Sequence, residues 1–280
     1  MKTKAILFYG ERPAGRRQQK NDLYRQARWA RIELGMTISE NGKQNISVII
    51  PAWNEEATVG KVIRALYTHL QDLPLSVIVV DDASRDQTRQ VGQDIGAVVL
   101  SLARHQGAWG AIQTGFRYAL QKNAQVIVTM DADGQHEPSS VKTLMRPVLE
   151  HQADVAIGSY PQRGSPGRHV SWGIFRRMSR IPVKDLTSGL KAYNRRAASM
   201  LLNPNMHLLD YQDLGTLLYL RKNGMKLTEV PVRMQPRQFG HSRVFNNWIS
   251  VCKYMVFSTV LCLSKYAWTP ESYKKSKGKT

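Results

Sequence analysis

The chain has 280 residues, 42% of them hydrophobic and 22% charged, values of a globular protein long enough for one large domain with appendages. Forty Lys and Arg against 21 Asp and Glu give a net charge of +19, which favours anionic partners: nucleic acid, phosphorylated ligands or an acidic membrane surface. The two cysteines, Cys252 and Cys262, have neither metal-site spacing nor a disulfide pattern, and the apolar run near Met1 is too short for a signal peptide, so the globular part is expected in the cytoplasm.

Residues 1–45 are polar and basic and read as an arm; 23–34 could form a short basic helix. Order is expected to begin with a buried strand at 46–50, followed by Pro51-Ala-Trp-Asn-Glu55 and a helix over about 56–70, where Val59, Val62, Ile63 and Leu66 recur at helical spacing. A second strand at 75–80 ends at Asp81-Asp82. A polar helix from Arg85 leads to Gly96, and 97–100 is a third strand. Residues 107–121 read as a helix, and 126–130 as a fourth strand ending in Asp131-Ala-Asp133. A helix over 139–150 should be kinked or shortened by Pro147, and 154–157 is a fifth strand.

Strands alternating with helices of this length predict an α/β fold: a mostly parallel central sheet with helices on both faces. After Gly158 the alternation fails. Residues 161–180 are rich in Arg, Gly and Ser, 187–193 and 229–234 read as strands, 213–222 reads as a helix, and this half is expected to complete one side of a cleft. No internal repeat is evident.

Three strand ends thus carry polar residues towards one edge of the sheet, where open α/β sheets bind ligands. Carboxylates at i and i+2 on extended backbone share a face. Asp131 and Asp133 therefore suit a hard divalent cation, which takes carboxylate and phosphate oxygens. A solvated turn after a strand is the bland alternative for the pair alone.

Taken together, the Pro-x-x-Asn-Glu turn, the Val-Val-Asp-Asp-Ala-Ser strand end, Asp-Ala-Asp-Gly-Gln-His, Thr187-Ser188-Gly189 and Arg237-Gln-Phe-Gly-His-Ser-Arg243 resemble the family 2 glycosyltransferases of GT-A, Rossmann-like fold. The subgroup they look most like is the dolichyl- and polyprenyl-phosphate sugar synthases, over residues 46–243. The resemblance implies that Pro51, Trp53 and Glu55 line the nucleotide base and ribose, and that Val80 and Asp82 hold the base edge or ribose. It implies Asp131, Asp133 and Gln135 as ligands of Mg²⁺ or Mn²⁺, with the Ala132 backbone near the ribose and Asp133 central to the chemistry. Arg237 and Arg243 resemble a closing loop that grips phosphates, and Arg163 and Arg168 lie where the family also places phosphate-binding arginines. His105 stands where the family frequently has Asn, and it reads as a turn or packing residue.

The acceptor implied is a polyprenyl phosphate, already anionic at neutral pH because a phosphomonoester has a second pKa near about 6. A hydroxyl acceptor on a glycan would instead need a base, for which Asp213 is the candidate; a helix cap is its bland role. A nucleic-acid-binding protein is the alternative of another class, but no stacking or helix-turn-helix motif supports it, and no specific nucleic acid is expected.

Residues 244–280 form an apolar, basic tail. At 1.5 Å per residue the apolar stretch 248–263 would reach about 24 Å as a helix, short of the ~30 Å hydrocarbon core. It fits an interfacial helix on an anionic leaflet, with Trp248, Tyr254, Tyr266 and Trp268 as edge groups and five flanking lysines. Packing against the domain or an integral-membrane partner is the alternative. The location implied is the cytoplasmic face of the membrane, peripheral or monotopic.

Overall fold

Seven strands form one sheet in the order β3-β2-β1-β4-β6-β5-β7 in a computed structural model that describes residues 45–163, 172–173, 183–185, 188–204, 212–235 and 256. The strands are β1 Ile46–Ala52, β2 Leu75–Asp81, β3 Val98–Ser101, β4 Val126–Thr129, β5 Val155–Ser159, β6 Lys191–Asn194 and β7 Leu227–Pro231. The helices are α1 Val59–His69, α2 Thr88–Asp94, α3 Gly107–Gln121, α4 Ser140–Leu149, α5 Arg195–Met200 and α6 Gln212–Lys222. All pairings are parallel except those of β6, which runs antiparallel to both β4 and β5.

Strand side chains alternate between two cores, as a period of two requires. Ile49, Ile78, Val80, Ile127, Val155 and Ile157 face one side, packed with Phe116 of α3, Ala197 of α5 and Leu217 of α6. Val48, Ile50, Val77, Val79, Val128 and Ala156 face the other, with Ile63 and Leu66 of α1 and Leu144 and Met145 of α4. Each fully buried side chain of this size contributes roughly 1.5–3 kcal/mol. A Cβ at Gly115 would collide with the Ile49 side chain, so the glycine lets α3 press directly on β1.

The strands and helices expected between residues 46 and 234 are present, with shifted edges. The first helix starts at Val59 rather than 56, because Asn54, Glu55 and Glu56 turn to bond the loop after β2. The strand expected at 187–193 begins only at Lys191, because Gly189 is drawn against the β4 end. The last strand occupies 227–231, and its Pro231 is tolerated because β7 is an edge strand. Pro147 lies two residues before the end of α4, consistent with an early stop. Helix α5 was not expected; the Asn194 side chain caps it by accepting the Ala197 N–H at 2.8 Å. The basic arm of residues 1–44, residues 164–171 and 236–243, and the C-terminal tail apart from Val256 lie outside the described residues.

Candidate functional site

The three strands whose ends carry the polar motifs, β2, β1 and β4, are immediate neighbours, and their parallel pairing brings all three carboxyl ends to one edge. The chain leaves β1 to build β2 and β3 on one side and β4 on the other. β1 is therefore the point of reversal, where a crevice opens beyond the strand ends.

The loops after β1 and β2 are tied together. The Asn54 N–H donates to Ser84 Oγ at 2.9 Å, and Asn54 Oδ1 accepts the Arg85 N–H at 2.8 Å. Glu55 N–H donates to Thr88 Oγ1 at 2.7 Å, Glu56 N–H to Asp86 Oδ2 at 3.1 Å, and Gln87 N–H to Glu56 Oε2 at 2.8 Å. Asn54 and Ala83 both adopt left-handed backbone, with φ of 54° and 59°. For alanine this costs about 1–2 kcal/mol. The turn is held by the Asp81 carboxylate, which accepts the Ser84 N–H at 3.0 Å. Burial pushes the Asp86 carboxyl up, but hydrogen bonds from the Thr88 hydroxyl and N–H and from the Glu56 N–H outweigh it and hold the group below the ordinary aspartate value.

Of the residues expected at the nucleotide, Pro51, Trp53 and Glu55 are half-buried in this tied region. The Glu55 carboxylate also accepts the Thr58 hydroxyl at 3.0 Å, at the start of α1. Val80 is wholly buried in the core beside Ile78 and Phe116, which leaves its backbone as the part that can face a ligand. Asp82 is buried, and both carboxylate oxygens are engaged: Oδ1 accepts the Gln106 N–H at 2.7 Å, and Oδ2 lies 2.9 Å from His105 Nδ1. The His105 ring stacks on Trp53 with centroids 4.3 Å apart and planes at 32°. His105 is thus more than a turn residue, because it joins an aromatic and a carboxylate from two different strand ends.

At the β4 end, the Asp131 side chain is 45% exposed, whereas Ala132 and Asp133 are buried. Asp133 Oδ1 accepts the Gln135 N–H at 3.0 Å, closing a turn through Gly134 at φ 76°. β6 brings Gly189 to the same place: Thr129 Oγ1 donates to the Gly189 carbonyl at 2.9 Å, and a Cβ at Gly189 would overlap the Asp131 carboxylate. His136, which closes the Asp-Ala-Asp-Gly-Gln-His motif and received no role from the sequence, is fully buried with Nε2 3.3 Å from Asp131 Oδ2. Its Nδ1 has no hydrogen-bond partner among the described residues. Behind it, His136 bridges to Met234, and the Gln235 N–H donates to the Gln135 carbonyl at 2.7 Å. The chain that leads into Arg237 is therefore fastened to the acidic loop.

The donor set fits a hard cation. By side-chain chemistry Asp131 and Asp133 could offer carboxylates and Gln135 an amide oxygen, while among the described residues no group of three or more His, Cys, Asp or Glu is placed to enclose a metal. Such an incomplete oxygen set suits an ion whose remaining ligands come from substrate phosphates. Arg168, Arg237, Arg243 and Thr187 lie outside the described residues. Asp213 falls in the first turn of α6, with its side chain outside them. No helix among the described residues is long and apolar enough to cross a membrane.

The glycosyl transferase family 2 model matches residues 47–203. An uncharacterised protein of Methanocaldococcus jannaschii is 31% identical over 220 residues, covering 75% of this chain and 89% of its own. The undecaprenyl-phosphate mannosyltransferase of Micrococcus luteus is 29% identical, covering 71% of this chain and 87% of its own. Among solved structures, glucosyl-3-phosphoglycerate synthase of Mycobacterium tuberculosis, in complex with Mn²⁺, UDP and phosphoglyceric acid, superposes with a TM-score of 0.60 at 20% identity, over 81% of this chain and 80% of its own.

Proposed function

The chain belongs to glycosyl transferase family 2 and is a glycosyltransferase of GT-A fold, and from that premise we propose that it moves a sugar from a nucleotide donor to a polyprenyl phosphate, with inversion and with a divalent cation. The observation that carries this reading is the adjacency of the β2, β1 and β4 ends, which sets an aromatic-lined loop pair beside an acidic pair whose Asp131 carboxylate is half-exposed. The relative from Micrococcus luteus supports the acceptor class by its name.

In this reading Pro51, Trp53 and Glu55, with the Val80 backbone, take the nucleoside, the buried Asp82 carboxylate supports that pocket from behind through His105, and the Ala132 backbone meets the ribose. Asp131, Asp133 and Gln135 would hold Mg²⁺ or Mn²⁺, whose chemistry is to stabilise the charge on the departing diphosphate. Arg237, Arg243 and Arg168 would supply bidentate grips on phosphate oxygens. An oxygen of the lipid phosphate attacks the anomeric carbon from the face opposite the diphosphate. The bond from that carbon to the diphosphate oxygen breaks, and the nucleoside diphosphate leaves with the electron pair. A phosphate nucleophile carries its charge already, so the chain need not remove a proton. The basic tail 244–280 would bring the enzyme to an anionic leaflet at the cytoplasmic face.

The test is transfer of label from a panel of UDP-, GDP-, CDP- and ADP-sugars to polyprenyl phosphate by the purified full chain. We expect a product extractable into organic solvent that appears with Mg²⁺ or Mn²⁺ and vanishes with EDTA. Label passing only to a glycan hydroxyl, or to nothing across the panel, would overturn the reading.

A further inference from the structure

We propose that His105 reads the edge of the donor's nucleobase, and that Asp82 is a positioning residue that sets which nitrogen of the His105 ring is free to do so. This rests on the nucleotide-sugar reading of the cleft and goes further by naming the reading group and the class of base.

The argument begins with accessibility. The Asp82 carboxylate is 3% exposed, with Oδ1 on the Gln106 N–H and Oδ2 on the His105 ring. His105 is 50% exposed. The polar group of this pair that meets the cleft is therefore the imidazole.

The hydrogen bonding then fixes the ring's chemistry. His105 Nδ1 lies 2.9 Å from Asp82 Oδ2 and 3.4 Å from the Asp82 carbonyl oxygen. Both are acceptors, so Nδ1 carries the proton. In the neutral ring that leaves Nε2 with a lone pair, and Nε2 has no hydrogen-bond partner among the described residues. The acceptor is held steady from two directions. Trp53 stacks on the ring at 4.3 Å, and Asp82 is tied to β1 by its own N–H, which donates to the Ala52 carbonyl at 2.8 Å.

A fixed acceptor next to an aromatic face selects among bases. Uracil and guanine present a ring N–H on their pairing edge, whereas cytosine and adenine present an unprotonated ring nitrogen at that position and donate only from the amino group beside it, so an acceptor facing the ring position favours the first two. Aromatic stacking serves all four bases alike, so preference comes from His105.

The experiment measures binding of UDP, GDP, CDP and ADP to the full chain by calorimetry, with Mn²⁺ present and without acceptor, for the wild type, His105→Phe and Asp82→Asn. The wild type should prefer UDP or GDP over CDP and ADP. His105→Phe keeps a ring on Trp53 and removes the acceptor, so it should weaken the preferred nucleotide about three- to tenfold and leave CDP and ADP nearly unchanged. Asp82→Asn offers Nδ1 a donor amide and should shift the ring proton to Nε2. The ¹⁵N spectrum of the imidazole should report that tautomer, the base preference should fall, and the melting temperature shows whether the fold survives. Unchanged preference in His105→Phe, or a wild type that favours CDP or ADP, would overturn the inference while leaving the donor reading standing. A wild type that binds none of the four would overturn both.

Discussion

The Asp131 carboxylate lies directly against Gly189, at a distance that leaves no room for a β-carbon. The two residues come from neighbouring antiparallel strand ends, and the Thr129 hydroxyl holds the Gly189 carbonyl at 2.9 Å. Gly189→Ala should turn the carboxylate away while leaving both cores intact. Misplacement of about 1 Å at a reacting centre can cost about a hundredfold in rate. We expect a loss of that order in turnover, with circular dichroism unchanged and with Mn²⁺ no longer raising the melting temperature in the presence of nucleotide.

His136 acts on the same carboxylate, through Oδ2. Groups behind a metal ligand typically account for about 10- to 100-fold in metal affinity. His136→Phe removes the 3.3 Å contact with Asp131 and also a buried nitrogen that has no hydrogen-bond partner among the described residues, so folding stability should hold or rise while Mn²⁺ affinity falls. Titrating Mn²⁺ by electron paramagnetic resonance, with a thermal melt alongside, separates the two effects. Parallel losses in both would mean that the histidine serves only the fold.

Asp213 distinguishes the acceptors. If the nucleophile is a lipid phosphate, Asp213→Asn should retain turnover within a few-fold; if it is a hydroxyl, loss of the base should cost about 10²–10⁴. Initial rates with polyprenyl phosphate and with a glycan acceptor decide the matter.

Asp86 makes the tie between the first two loops depend on pH. Its carboxyl is held below the ordinary aspartate value, so its contribution is fully present above that value and disappears as the pH falls through the lowered folded-state value. Asp86→Asn should destabilise the protein at neutral pH and narrow the gap to wild type in strong acid. Urea melts across the acid range measure the gap. A gap that widens towards low pH would contradict the sign.

Much of the architecture was legible in the chain because local signals agreed. The runs at 46–50 and 126–130 and the helical spacing of Val59, Val62, Ile63 and Leu66 specify their elements without help from distant residues. The antiparallel course of β6 was not legible, because nothing in Lys-Ala-Tyr-Asn states which neighbour it will have. The short helix after Asn194 carried a readable capping signal that its Arg-Arg start disguised. In the site, Asp131 and Asp133 stood out because their charge follows an apolar run. His105 and His136 did not, since a histidine's role depends on which carboxylate the fold places beside it, Asp82 in one case and Asp131 in the other.

The position of β6 also bears on synthesis and folding. Strands β1, β2 and β3 can pair soon after they are made, but β4 gains its second neighbour only when residue 191 has emerged. Until then β4 is an open edge, a template for pairing with another chain. The surroundings of Asp131 are assembled late, through contacts that span some 60 residues of sequence. A truncated or stalled chain ending before Lys191 would retain the loop pair around Trp53, lack a completed acidic site, and be prone to aggregate along β4.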